Sequence, residues 1–240
     1  MHILKVDGIT KNYGKKCVVN ALNLYVTTGE IVGLLGPNGA GKTTTFYMIV
    51  GMIKPEKGSI ALDSEDIGQF PMYQKARKGI GYLPQEPSIF RKLTVRDNLR
   101  AVLEIKGYPD TDIAEMIERL LEEFNLRGFA DRDGYSLSGG ERRRAEIARA
   151  LALNATFMLF DEPFTGIDPI AIIELKKMLT HLKNKGLGIL ITDHNVRDTL
   201  SITDRAYIIN NGEVLAEGMP EHIVANPQVK EAYLGEEFRL

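Results

Sequence analysis

The stretch "GPNGAGKT", Gly36 to Thr43, constrains this chain more than any other. It follows "EIVGLLG", an apolar run too short for a helix and bounded by glycine, which predicts a buried strand. It precedes "KTTTFYMIVGM", which predicts a helix ending near Gly51. Strand, glycine-rich turn and helix in that order make the P-loop arrangement for binding phosphates. Gly36, Gly39 and Gly41 let the backbone curl so that successive N–H groups face a phosphate, with Pro37, Asn38 and Ala40 completing the loop. Lys42 can reach the β- and γ-phosphates and the Thr43 hydroxyl can ligate Mg²⁺, with Thr44 next in the nucleotide-binding run.

A second strand-borne feature completes such a site. "TFMLFDEP" is an apolar run ending in Asp161, a rigid tip that suits a Mg²⁺-organising carboxylate. Glu162 leaves the backbone in another direction and can address an attacking water; on its own it also reads as a surface or capping acid. His194 ends "LGILITDH", where ligands gather in α/β sheets, although a lone His after a strand also reads as structural. Gln85 ends "GIGYLPQ", either as a link between the metal site and the helical segment after it or as an ordinary turn. Tyr13 in "TKNYG" can stack on an adenine or be a plain strand aromatic.

"SLSGGERRRAEIARA" holds a second anion cradle, a Ser-Gly-Gly turn opening a helix. Its basic run, Arg142 to Arg144, is expected to form a mainly solvated face, with Ile147, Ala148 and Leu151 turned to the core.

The first thirty residues predict an antiparallel sheet, and "GSIALDSEDI" a further short strand segment. From about 88 to 135 the pattern turns helical, with Ile113, Met116, Ile117, Leu120, Leu121 and Phe124 on one stripe, and predicts an inserted helical lobe within one domain spanning 1–240. Asp168, Pro169 and Gly186 predict the cap, first turn and end of the next helix. Asn211-Gly212 predicts a type I′ hairpin, and the C-terminal piece reads as helical and then irregular.

Composition narrows the partners. A net charge of −2 with both signs interspersed argues against nucleic acid as main partner. One cysteine, Cys17, excludes an internal disulfide and reads as a small strand residue. With no signal-like start and no apolar run near ~20 residues, a soluble cytosolic protein without direct membrane insertion is expected.

The ordered series "GPNGAGKT", "YLPQ", "LSGGE", "MLFDEP", "TGID" and "ITDH" resembles the nucleotide-binding subunits of ATP-binding-cassette (ABC) transporters over essentially the whole chain. The resemblance implies an α/β P-loop NTPase fold with an antiparallel β subdomain and an inserted α-helical subdomain. It implies an ATPase using ATP and Mg²⁺, with Thr43, Gln85 and Asp161 at the metal, Glu162 and His194 catalytic, and Tyr13 on the adenine. Leu137, Ser138, Gly139, Gly140 and Glu141 would form the signature that meets ATP on a second subunit in a homodimer. Asp168 would lie in the D-loop, whose "TGID" departs from the common Ser-Ala-Leu-Asp. Two integral membrane permease subunits would complete the assembly at the cytoplasmic face of a bacterial inner membrane.

"FYMIVG", "PSIFRKLTV" and the terminal "EEFRL" look like the ATPases of lipopolysaccharide export; branched-chain amino-acid importers are the alternative. Phe90 and Arg91 would line the permease groove, or else pack internally and be solvated, respectively. A soluble repair or ribosomal ATPase fits less well, because there is no heptad insertion and only one cassette. "NKGL" lacks the Asp of a guanine-reading motif, which disfavours a GTPase.

Overall fold

The computed structural model describes residues 1–238. The last two residues of the terminal "EEFRL" block lie outside them. Strands β1 (Ile3–Tyr13), β2 (Lys16–Thr27), β4 (Lys57–Leu62) and β5 (Glu65–Asp66) form an antiparallel sheet in the order β2-β1-β4-β5. The "GSIALDSEDI" segment is thus two strands, β4 and β5, turned at Asp63, which adopts φ 54. Cys17 lies in β2, exposed.

The second sheet has six strands in the order β10-β9-β3-β8-β7-β6. Its central members β3 (Ile31–Leu35), β7 (Phe157–Asp161) and β8 (Gly188–Thr192) are buried at every position. Continuous apolar runs of this kind are what parallel strands covered on both faces require. Alternation still sorts their side chains: Met158 and Phe160 join one core cluster, Phe157 and Leu159 the other. β6 (Ile80–Leu83) pairs parallel with β7, β9 (Arg205–Asn210) pairs parallel with β3, and β10 (Glu213–Gly218) folds back antiparallel on β9. Asn211 and Gly212, at φ 50 and 83, make the expected hairpin turn.

Helix α1 (Lys42–Val50) packs in the core shared with the antiparallel sheet and ends at Gly51, whose φ is 87. Helix α2 (Met72–Arg77) precedes β6; its six residues carry too short a pattern to be read from periodicity. On the opposite face lie α3 (Val95–Ile105), α4 (Asp110–Glu123), α5 (Gly139–Leu151) and α6 (Pro169–Asn184). The α4 stripe is buried at Ile113, Ile117 and Leu121, with Phe124 following, while Met116 and Leu120 are partly covered. Asp168 caps α6 by accepting from Ile170 N and Ala171 N, both at 3.0 Å, and Pro169 takes the first turn. Short helices α7 (Val196–Leu200), α8 (Pro220–Ala225) and α9 (Pro227–Val229) lead to a π-type turn at Lys230–Leu234. Among the described residues, no helix is long and apolar enough to cross a membrane.

Candidate functional site

The parallel strands deliver their C-terminal ends to one edge: Gly36 after β3, Asp161 ending β7 with Glu162 just after it, Asp193 and His194 after β8, and Gln85 after β6. That edge is where open α/β sheets bind ligands. The sequence-predicted P-loop, carboxylates, histidine and glutamine are therefore brought together by strand order.

The loop's glycines answer to packing as much as to curvature. A Cβ on Gly36 would lie 2.1 Å from Ile209 O, and one on Gly41 would lie 2.6 Å from Val18 O. Both residues adopt positive φ, so any side chain there meets neighbouring strand backbone in a conformation it disfavours. Lys42 Nζ donates to Gly36 O at 2.7 Å and Pro37 O at 3.0 Å, which holds its amine over the loop. Burial lowers its pKa, opposed by the charges of Glu162 and Asp161. Thr45, in the first turn of α1, is a residue that motif reading passed over: its hydroxyl donates to Gly41 O at 2.9 Å and braces the helix start.

Thr43, Gln85 and Asp161 line one cleft of about 500 Å³ with Tyr47 and Tyr82. One carboxylate, one hydroxyl and one amide beside a phosphate loop suit Mg²⁺, which usually takes one or two carboxylates and completes its shell with phosphate and water. Asp161 is 5% exposed and accepts from the Tyr82 hydroxyl through Oδ2 at 3.1 Å. Burial first, then the Asp161 charge, pushes the Tyr82 phenol above its ordinary value, so it stays a donor at physiological pH.

Glu162 has φ 48, a left-handed conformation that costs a non-glycine residue on the order of 1–3 kcal/mol. Its N–H donates to Thr192 O at 2.7 Å. The buried Asp193 clamps the flanking loops, accepting from Phe164 N and Asn195 N, both at 2.8 Å. The turn brings Glu162 Oε1 to 3.2 Å from His194 Nδ1, while Thr165 Oγ1 lies 3.1 Å from His194 Nε2. An ionised carboxylate only accepts, so Nδ1 donates to it and, in neutral imidazole, Nε2 accepts from the Thr165 hydroxyl. Glu162 Oε2 is buried with no protein hydrogen-bond partner among the described residues.

Burial raises the pKa of Asp161, Glu162 and Asp193. The native state then keeps protons that the unfolded chain has released, and stability falls as pH climbs from the ordinary carboxylate range through the raised values. Asp161→Asn is expected to melt above the wild type at neutral pH, the gap closing on acidification below an ordinary Asp pKa of about 3.9. Thermal melts across that range check it; a gap that ignores pH would contradict it.

The signature residues stand apart from this chain's own P-loop. Ser138 caps α5 in a capping box, its N–H donating to Glu141 Oε2 at 2.9 Å and its Oγ accepting from Glu141 N at 3.4 Å. Leu137 is buried and Gly140 packs near Ala171, whereas Gly139 lines a small cleft with Gln85 and Glu162. Among the described residues, no hydrogen bond joins 137–141 to the P-loop. Tyr13 sits at the β1–β2 turn, 51% exposed, on the hairpin whose Val18 and Val19 abut Gly41.

One expectation is corrected, and of the two alternatives for Phe90 one is removed. Arg143 does not join a solvated face: it is 8% exposed, donating to Pro84 O at 3.0 Å and Glu146 Oε2 at 3.3 Å. Phe90 does not pack internally: it is 48% exposed, its ring 4.6 Å below the Arg149 guanidinium. Arg91 is solvent-exposed. Phe90 rides on a strap at 88–94, pinned by side chains that sequence reading passed over. Glu146 Oε1 accepts from Ser88 N at 2.6 Å and Ile89 N at 3.1 Å, and Asn98 accepts from Phe90 N at 2.9 Å and donates to Phe90 O at 3.1 Å. Beside the strap runs an apolar groove of about 260 Å³, lined by Phe90, Tyr82, Leu83, Val102 and Leu153 among others.

Comparison with known proteins extends the picture. The ABC transporter family profile matches residues 19–165, and that of the branched-chain amino acid ATP-binding cassette transporters matches residues 213–239. The chain is 55% identical to the lipopolysaccharide export system ATP-binding protein LptB of Haemophilus influenzae over 100% of both chains. To the protein of the same name from Escherichia coli K12 it is 53% identical, again over 100% of both. A crystal structure of a nucleotide-free ATP-binding cassette from an ABC transporter superposes with a TM-score of 0.87 at 30% identity, covering 98% of this chain and 100% of the other.

Proposed function

Because the chain belongs to the ATP-binding proteins of the ABC transporter family and is an ATPase of that family, we propose that it powers lipopolysaccharide export from the inner membrane. The observation that carries the cargo assignment is the full-length likeness at 55% identity to a lipopolysaccharide export ATPase.

The site residues divide the chemistry between them. Loop N–H groups from Gly36 to Thr43 and the Lys42 amine bind the phosphates, and Tyr13 stacks on the adenine. Thr43, Gln85 and Asp161 would hold Mg²⁺, which would supply neutralisation of phosphate charge. Glu162 keeps Oε2 free to accept a proton from the attacking water, and His194 holds Oε1 while facing the γ-phosphate. Two copies pair head-to-tail around two ATP molecules. Each presents Ser138, Gly139 and Gly140, at the N-terminus of α5, to the γ-phosphate on its partner, with the Asp168 loop beside them. The whole chain acts as one ATPase domain, with the helical lobe at 88–135 moving as a unit.

In each protomer the groove beside the strap seats a helix from one integral membrane permease, and the two permeases hold the dimer at the cytoplasmic face of the inner membrane. Its apolar lining, the exposed Phe90 ring and the Arg91 charge suit an amphipathic segment. The second reading, a branched-chain amino-acid importer, is favoured by the match at 213–239.

Affinity purification from the native membrane tests both readings. Permeases with large periplasmic domains are expected to co-purify; amino-acid permeases with a binding protein would turn the assignment to the importer. Phe90→Asp or Arg91→Glu is expected to reduce that co-purification by about tenfold, the loss of one hot-spot contact, with ATP binding unchanged. Undiminished recovery of the permeases would remove the groove from the interface.

A further inference from the structure

The carboxylate assigned to the metal is held by a residue of the "YLPQ" motif to which sequence reading gave no role. Tyr82 is the third residue of β6, pairing with Leu159 on the adjacent β7. Its hydroxyl donates to Asp161 Oδ2 at 3.1 Å, the only side-chain hydrogen bond that Asp161 makes among the described residues. We infer that Tyr82 is a positioning residue for Mg²⁺: it fixes the rotation of the Asp161 carboxylate and so presents the remaining oxygen to the cleft shared with Thr43 and Gln85.

The physical reason is that a carboxylate on a strand tip rotates about its last bond unless one oxygen is engaged. Outer-shell partners of this kind set the orientation of metal ligands. Gln85 cannot supply this restraint, because it is exposed and makes no hydrogen bond to Asp161 among the described residues.

The same side chain reaches a second compartment. Tyr82 lines the apolar groove with Phe90 and also lines the cleft with Asp161, so one ring belongs to the wall between them. A segment seated in the groove bears on the donor that orients the metal ligand. This path runs through β6 itself, beside the one through Gln85 and the strap.

The inference rests on Asp161 as a metal ligand, and the experiment separates the two. Mn²⁺ retention by the purified chain, measured by electron paramagnetic resonance with adenylyl imidodiphosphate bound, reads the metal directly. Tyr82→Phe, which keeps the ring and removes the hydroxyl, is expected to weaken Mn²⁺ binding about tenfold. Binding of the same nucleotide in chelator should be unchanged, and excess Mg²⁺ should restore kcat. Wild-type Mn²⁺ affinity in Tyr82→Phe, or an equal loss of metal-free nucleotide binding, overturns the role of Tyr82. Wild-type Mn²⁺ affinity in Asp161→Asn overturns the metal assignment and the inference with it.

Discussion

Glu162→Gln is expected to slow ATP hydrolysis by about 10²–10⁴-fold, the contribution typical of a general base. The substitution preserves volume and leaves an acceptor oxygen for His194, whose Nδ1 lies 3.2 Å from Oε1. It replaces the carboxylate by an amide that cannot take a proton at the buried Oε2. In the proposed site ATP is held by the loop from Gly36 to Thr43, which the change does not touch. Phosphate release should therefore fall while nucleotide stays bound, and light scattering with ATP and Mg²⁺ should show a dimer that persists. A strictly monomeric species at saturating ATP would contradict the head-to-tail pairing. Hydrolysis near the wild-type rate would place the base elsewhere.

Glu146→Ala is expected to cost about 3–5 kcal/mol of folding stability, the loss typical when one partner of a buried ion pair is removed. Glu146 is almost fully buried and engages three groups: Arg143 through Oε2, and the N–H groups of Ser88 and Ile89 through Oε1. Truncation leaves a guanidinium at 8% exposure without its carboxylate, and two strap donors without an acceptor. Against a total of about 5–15 kcal/mol, that is a large fraction. Denaturant unfolding followed by circular dichroism measures it, since the chain has no tryptophan to report by fluorescence. A loss under about 1 kcal/mol, the range of an exposed ion pair, would mean that solvent reaches Arg143.

The two expectations differ in how far each is legible in the sequence. Glu162 follows Asp161 at the end of an apolar strand, and its neighbours in the chain already announce a nucleotide site. Glu146 sits in "RRRAEIARA", whose run of charges reads as a solvated helix face. What buries it is a strap contributed by residues 57 and 58 positions away. No local pattern reports that packing. Helix α2 escapes sequence reading for a related reason: it is shorter than two helical turns, too brief for its apolar spacing to repeat.

The sequence by itself determined the features whose physics is local. Gly51 and Gly186 terminate helices because glycine tolerates the left-handed backbone, and Asp168 caps α6 because its side chain reaches the N–H groups two and three residues on. The P-loop, the buried strands and the hairpin at Asn211-Gly212 follow from the same short-range rules. Only the tertiary structure decided which strand ends meet. The order β9-β3-β8-β7-β6 sets Tyr82 beside Asp161 across 79 residues of chain. It also brings the Asp193 clamp to the loop after Glu162 and His194 to the carboxylate it pairs with. Hydrogen bonds between distant segments depend on strand order and on burial that excludes water, and neither is encoded in the spacing of residues along one segment.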